Sequence, residues 1–226
     1  YSNYKSKEIY RQGDCFLNFN QSYQDFKSVC SSEDDEGSVL VWGDSHAAAV
    51  SYGLRQEFEK VSQYTAGGCP PILGVKIRLS PFCEEINDFV SREISRKSPG
   101  IVIIHSNWIL VNDSVEISNL SNTIKYIQEQ SPRSVIVVIG GVPQYSPSLP
   151  AYMVARHVNL LDGAEVLAPD LKKIEKLDER IEGISKESGV TFFSSLNEFC
   201  DAESCLAAVN YYGSPMPTAW DYGHLT

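Results

Sequence analysis

The chain has no apolar run near the roughly 18 residues that a membrane span requires. Its longest, Val135-Ile136-Val137-Val138-Ile139, has the length of a buried strand. No secretory leader is visible, because Tyr1-Ser2-Asn3-Tyr4-Lys5 is polar. The first residue is not Met, and the chain is expected to be an excised piece of something longer. Basic residues are few and scattered: 19 Lys and Arg against 29 Asp and Glu leave a net charge of −10. That balance argues against nucleic acid as a partner, since binding phosphates needs clustered cations. No C-x-x-C pair or Cys/His cluster is present, which argues against a zinc site.

Cysteine itself is not lacking. The six residues Cys15, Cys30, Cys69, Cys83, Cys200 and Cys205 fall into three pairs close in sequence. Each pair flanks turn-like residues. They read as Cys15–Cys30, Cys69–Cys83 and Cys200–Cys205 bridges among the fifteen pairings that six cysteines allow. Bridges imply an oxidising compartment. With 226 residues and 42% hydrophobic content, the chain can be one large domain or a domain with an appendage.

Residues 1–37 are polar, hold one cysteine pair and precede the first core strand. They read as an extension, with the domain proper over 38–226. The acidic run Glu33-Asp34-Asp35-Glu36 reads as a solvated loop. From Val39 the pattern alternates. Val39 to Trp42 predicts a short buried strand, and Ala47, Val50, Leu54 and Phe58 recur at helical spacing. Val61 to Thr65 predicts a second strand. Ile86, Phe89, Val90 and Ile94 mark a helix ending before Pro99-Gly100. Ile101 to Ile104 is a third strand, and Ile117, Leu120, Ile124 and Ile127 form a stripe stopped by Pro132. Ser134 to Ile139 is a fourth strand. Leu171, Ile174, Leu177, Ile181 and Ile184 predict a helix with Asp170 as N-cap and Gly189 as its stop. Val190 to Phe193 is a fifth strand. Continuous apolar strands separated by helices mean an α/β fold whose parallel sheet, of about five strands, is covered on both faces. The stretch from Val142 to Pro169 has no clear period and four prolines, and reads as a lid or substrate-facing loop.

Sites in such sheets lie at the carboxyl ends of the strands. Asp44, Ser45, Gly67, Gly68 and Asn107 all fall there. Ser45 sits where a strand turns into a helix, so free N–H groups could stabilise a nucleophile and an oxyanion. Alone, it could equally be a helix cap. Asp221-Tyr222-Gly223-His224 supplies an imidazole as general base and a carboxylate to fix its tautomer. Asn107 could donate its amide to an oxyanion, and Gly67 or Gly68 a backbone N–H. His46 follows the nucleophile and lines the site or caps the helix. His105 at a strand end reads as a core histidine, and His157 lies in the long loop. Asp44, His46, His105, Asp221 and His224 match no metal motif in their spacing.

These residues resemble the SGNH hydrolase family. Gly43-Asp44-Ser45 is similar to its nucleophile block, Gly68 to its glycine block, Asn107 to its asparagine block and Asp221-x-x-His224 to its terminal block. One branch is closer. Trp42-Gly43-Asp44-Ser45-His46-Ala47, Gly68-Cys69-Pro70-Pro71 and Asp221-x-x-His224-Leu225-Thr226 resemble SGNH domains fused to the C-terminus of acyltransferase-3 membrane proteins, bacterial O-antigen acetyltransferases among them. The resemblance implies a flavodoxin-like three-layer α/β/α sandwich. It implies a membrane domain as partner in cis, linked through residues 1–37. It also implies a periplasmic location at the inner membrane, and a polysaccharide acceptor. The acetyl donor, ultimately acetyl-CoA, would arrive through the membrane domain, with no metal or tightly bound cofactor here.

The expectation is a serine-dependent O-acetyltransferase. Ser45 would carry the acetyl group, with His224 as base and Asp221 as its orienting acid. The N–H groups of Ser45 and Gly68 and the Asn107 amide would form the oxyanion hole. The alternatives are a carbohydrate acetylesterase with the same site and a glycan-binding module that keeps the fold without the chemistry.

Overall fold

The run Val39-Leu40-Val41-Trp42 is buried on both faces, as a central strand of a covered sheet must be. The computed structural model describes residues 5–32, 37–111, 115–201 and 203–226, so the acidic run at 33–36 lies outside the described residues. A short helix, α1 (Ser6–Ile9), and a two-residue strand, β1 (Phe16–Leu17), come first. The alternation follows as β2 (Val39–Gly43), α2 (Ser45–Glu57), β3 (Val61–Ala66), α3 (Cys83–Lys97), β4 (Ile101–His105), α4 (Val115–Gln130) and β5 (Val135–Ile139). Beyond it lie α5 (Leu149–Ala155), β6 (Glu165–Leu167), α6 (Leu171–Glu187), β7 (Thr191–Phe193) and α7 (Ser195–Phe199). The last strands are β8 (Ser204–Leu206), β9 (Ala208–Tyr211) and β10 (Ser214–Pro217).

The main sheet has six strands in the order β1-β3-β2-β4-β5-β7, and every pairing is parallel. Alternate side chains separate the layers. Leu40, Trp42, Val102, Ile104, Ile136 and Val138 pack against the apolar stripes of α3, α4 and α6. Val39, Val41, Val61 and Ile103 face Ala47 and Leu54 of α2 on the other side. The sixth strand exceeds the five legible in the sequence. It comes from the polar N-terminal segment, where Phe16 pairs with Thr65 and Leu17 with Ala66.

The register decides where the loops emerge. Gly43, the last residue of β2, pairs with Thr65 on one side and His105 on the other. The segments after β2, β3 and β4 therefore leave the sheet level with one another. Gly43 is required here by close approach, since a Cβ would lie 1.8 Å from the His105 carbonyl oxygen. Asn87, fully buried, ties the loop after β3 to the core. It accepts from Trp42 Nε1 at 2.9 Å and donates to the carbonyls of Pro70 and Ile72 at 2.9 and 3.0 Å.

The Cys15–Cys30, Cys69–Cys83 and Cys200–Cys205 bridges are all formed. The first closes the segment bearing β1, and the second joins the loop after β3 to the start of α3. The third lies beside a smaller core in which Tyr145, Leu149, Met153, Val166, Leu171, Ile174 and Leu196 pack together. Asp170 stands at the N-cap of α6 but makes no side-chain cap bond. Gly189, with φ +69°, lets the chain turn back after α6, where the Val190 N–H bonds the Ser185 carbonyl. Among the described residues, no helix is long and apolar enough to cross a membrane.

Candidate active site

Ser45 is the first residue of α2, but the cap is its neighbour: Asp44 accepts from the His46 N–H at 2.9 Å. Among the described residues, the Ser45 hydroxyl has no hydrogen-bond partner. Asp44 is itself 2% exposed and is shared between two elements. Its second oxygen accepts from Ser106 Oγ at 2.8 Å and from the Asn107 N–H at 2.9 Å. One carboxylate thus holds the end of β4 against the start of α2. Burial pushes the Asp44 carboxyl up, against the lowering effect of these donors.

The other half of the site arrives from far along the chain. His224 Nδ1 lies 2.6 Å from Asp221 Oδ2, and Asp221 Oδ1 accepts from the N–H groups of Gly223 and His224 at 3.1 and 2.9 Å. Burial alone would raise the Asp221 carboxyl. The His224 hydrogen bond and charge, with the two backbone donors, outweigh it and hold the group below its ordinary value. An ionised Asp221 keeps the imidazole proton on Nδ1, which leaves Nε2 with its lone pair. That Nε2 atom is buried and has no hydrogen-bond partner among the described residues. The His224 ring packs on the His46 ring with centroids 4.7 Å apart and stacks on Trp220 at 6.0 Å and 20°. Because His46 follows Ser45 directly, this contact brings the two segments into one site.

Asn107 is 4% exposed and held at both ends of its amide. Gln144 Nε2 donates to Asn107 Oδ1 at 3.0 Å, and Asn107 Nδ2 donates to Tyr222 Oη at 3.1 Å. Tyr222 Oη lies 3.0 Å from His46 Nε2. The two glycines after β3 differ. The Gly67 N–H is committed to the Leu17 carbonyl at 2.9 Å, whereas no acceptor takes the Gly68 N–H among the described residues. Gly68 adopts φ +60°, and a Cβ there would lie 3.0 Å from the ring of Phe19, which covers both glycines.

A family model for the SGNH domain fused to AT3 domains matches residues 14–226. The chain belongs to this SGNH family. Among solved structures, the domain resembles the periplasmic domain of a lipopolysaccharide acetyltransferase from Salmonella ser. Paratyphi A. That match has 26% identity and a TM-score of 0.77, and covers all of this chain (100%) and 90% of the other. An aryl esterase from M. smegmatis matches at 11% identity and TM-score 0.46, over 74% of this chain and 87% of the other. A carbohydrate acetylesterase family member from Sinorhizobium meliloti matches at 10% and 0.45, over 74% and 86%. No curated protein sequence matches the chain.

The remaining histidines of this SGNH domain sit in different surroundings. Burial takes His46 well below its ordinary value, helped by the nearby His224 and His105. Burial also lowers His105 to about 4, and its Nδ1 lies 3.2 Å from the Ile139 carbonyl. His157 is exposed, just beyond α5. Among the described residues, no three His, Cys, Asp or Glu side chains form a group that could hold a metal ion. The stretch read as a lid or substrate-facing loop carries α5 and β6 and is tied to the segment bearing His224. The Tyr145 and Leu149 N–H groups bond the Tyr222 and Asp221 carbonyls at 2.7 and 2.9 Å, so it buckles the base-bearing segment in place. Sequence reasoning missed Tyr222 and Gln144. A tyrosine inside the Asp221-x-x-His224 segment was the one available signal.

Proposed function

We propose that this SGNH domain is a serine-dependent O-acetyltransferase acting on a hydroxyl of a bacterial surface polysaccharide. The observation that carries it is the unpartnered Nε2 of His224, its Nδ1 bound to Asp221 and its ring against the residue after Ser45. Ser45 Oγ attacks the acetyl carbonyl carbon while His224 Nε2 takes the serine proton. The oxyanion is met by the N–H groups of Ser45 and Gly68 and by Asn107 Nδ2. Collapse expels the donor's leaving group, which takes the proton from His224 and leaves acetyl-Ser45. A sugar hydroxyl then gives its proton to His224 and attacks the ester, and the proton returns to Ser45 as it departs. No step calls for a metal or a bound cofactor.

Likeness to the Salmonella periplasmic domain supports the acceptor class. Fusion to AT3 domains within the family supports a membrane partner in cis that delivers acetyl groups ultimately from acetyl-CoA. Three disulfides support a periplasmic setting.

The test is labelling by a fluorophosphonate probe, followed by peptide mapping, with Ser45→Ala and a chelator as controls. Labelling at Ser45 that is lost in the variant and indifferent to the chelator is the expected result. Incubation with an acetyl donor and glycan then separates the two reactions: acetylated sugar means transfer, free acetate alone means hydrolysis. A folded protein that does not label would replace this reading with a glycan-binding module.

A further inference from the structure

An amide side chain has nearly the same shape either way round, so its partners decide which end faces a reacting atom. Asn107 has a partner at each end. Gln144 Nε2 approaches Oδ1 at 3.0 Å, and Nδ2 donates to Tyr222 Oη at 3.1 Å. Nδ2 carries two hydrogens, and Tyr222 uses one. Tyr222 accepts from Asn107, so its own hydrogen is free for His46 Nε2, 3.0 Å away. His46 can accept it, because burial and the neighbouring histidines keep that ring neutral. Burial raises Tyr222 to about 12 and so keeps it a protonated donor. With the His46 proton on Nδ1, the chain Gln144 to Asn107 to Tyr222 to His46 runs in one donor-to-acceptor direction.

Both middle residues of the Asp221-Tyr222-Gly223-His224 segment serve this arrangement. Tyr222 binds the amide. Gly223 leaves room for Gln144, since a Cβ there would lie 3.1 Å from Gln144 Cγ. We propose that Tyr222 and Gln144 are positioning residues that aim the second Nδ2 hydrogen of Asn107 at the oxyanion. The segment carrying the base then also sets the oxyanion donor. The inference rests on the reading of Asn107 as that donor.

The experiment is a set of double-mutant cycles read by the rate of fluorophosphonate labelling and by kcat and KM for p-nitrophenyl acetate. The variants are Asn107→Ala, Tyr222→Phe, Gln144→Leu and Gln144→Glu, with the first combined with each of the others. Asn107→Ala is expected to cost on the order of 10²-fold in kcat. Tyr222→Phe and Gln144→Leu are each expected to cost roughly 10-fold in kcat with little change in KM. Neither should cost more once Asn107 is gone. Gln144→Glu can only accept, so it turns the amide round and loses at least as much as Gln144→Leu. If the Tyr222 and Gln144 costs add in full on Asn107→Ala, the inference is overturned while the oxyanion reading stands. Unchanged rates in Asn107→Ala would remove that reading and the inference with it. A Gln144→Glu variant as active as the unaltered protein would overturn the assigned orientation.

Discussion

Asp44 and Asp221 are two carboxylates in the same site, and their surroundings drive them in opposite directions. Asp44 is pushed up by burial and spends both oxygens on the His46, Ser106 and Asn107 donors. Asp221 is held down by His224 and by two backbone N–H groups. Only the second touches an imidazole, so on the proposed mechanism Asp221 is the orienting acid, while Asp44 clamps the end of β4 to the start of α2. Asp221→Asn is expected to lower the labelling rate by on the order of 10³–10⁴-fold, because an amide can present its N–H to Nδ1 and favour the wrong tautomer. Fluorophosphonate kinetics at neutral pH measure this, and a loss below about 10-fold would deny Asp221 that role.

Among the elements, α6 meets the end of β5 through a carboxylate. Asp178 is 5% exposed, accepts from the Gly141 N–H at 2.6 Å and from Ser194 Oγ at 3.2 Å. Gly140 and Gly141 must be small, since a Cβ would lie 2.4 Å from Asp178 Oδ2 or 2.5 Å from Ile174 Cγ2. Burial raises Asp178 from 3.8 to about 6. The folded state therefore binds this proton more tightly than the unfolded chain. That stability is fully present below pH 4 and is lost as pH rises through about 6, a change of about 3 kcal/mol. His105, lowered to about 4, acts in the opposite sense and costs stability as pH falls below 6.5. The difference between the unaltered protein and Asp178→Asn isolates the first effect. Urea unfolding at pH 4, 5, 6 and 7 is expected to show the variant gaining relative stability by up to about 3 kcal/mol across that range. The elements differ in how far they could be read in advance. Strands β2, β4 and β5 are legible because each is a continuous or nearly continuous apolar run bounded by polar or turn residues. Phe16–Leu17 is not, because a two-residue strand in a polar segment exists only by pairing with Thr65 and Ala66. Ser45, Asp221 and His224 stand in short local motifs. Gln144 does not, because its role arises from a contact 37 residues away in sequence that no periodicity records.

Across the whole molecule, the edge of the sheet and the mouth of the site depend on the same segment. Cys15 and Cys30 are fully buried and close the stretch that supplies β1. The Leu17 carbonyl fixes Gly67, and Phe19 lies over Gly68. Replacing both cysteines by serine is expected to lower stability by about 3 kcal/mol, from the loop of 15 residues that the bridge closes. It is also expected to slow labelling at Ser45, as Gly68 loses its support. Urea unfolding and probe kinetics on one sample test both, and a stability loss with unchanged labelling would uncouple the edge from the site.

The contact between His46 and Tyr222 spans 176 residues. A ribosome adds about 5–20 residues each second. On the proposed mechanism, the turn bearing the nucleophile is made roughly 10 to 35 seconds before the segment that bears its base. Throughout that interval Ser45 is an ordinary alcohol. On that mechanism an unfinished chain is chemically silent toward acyl donors, and reactivity follows only when its two distant segments close on one another.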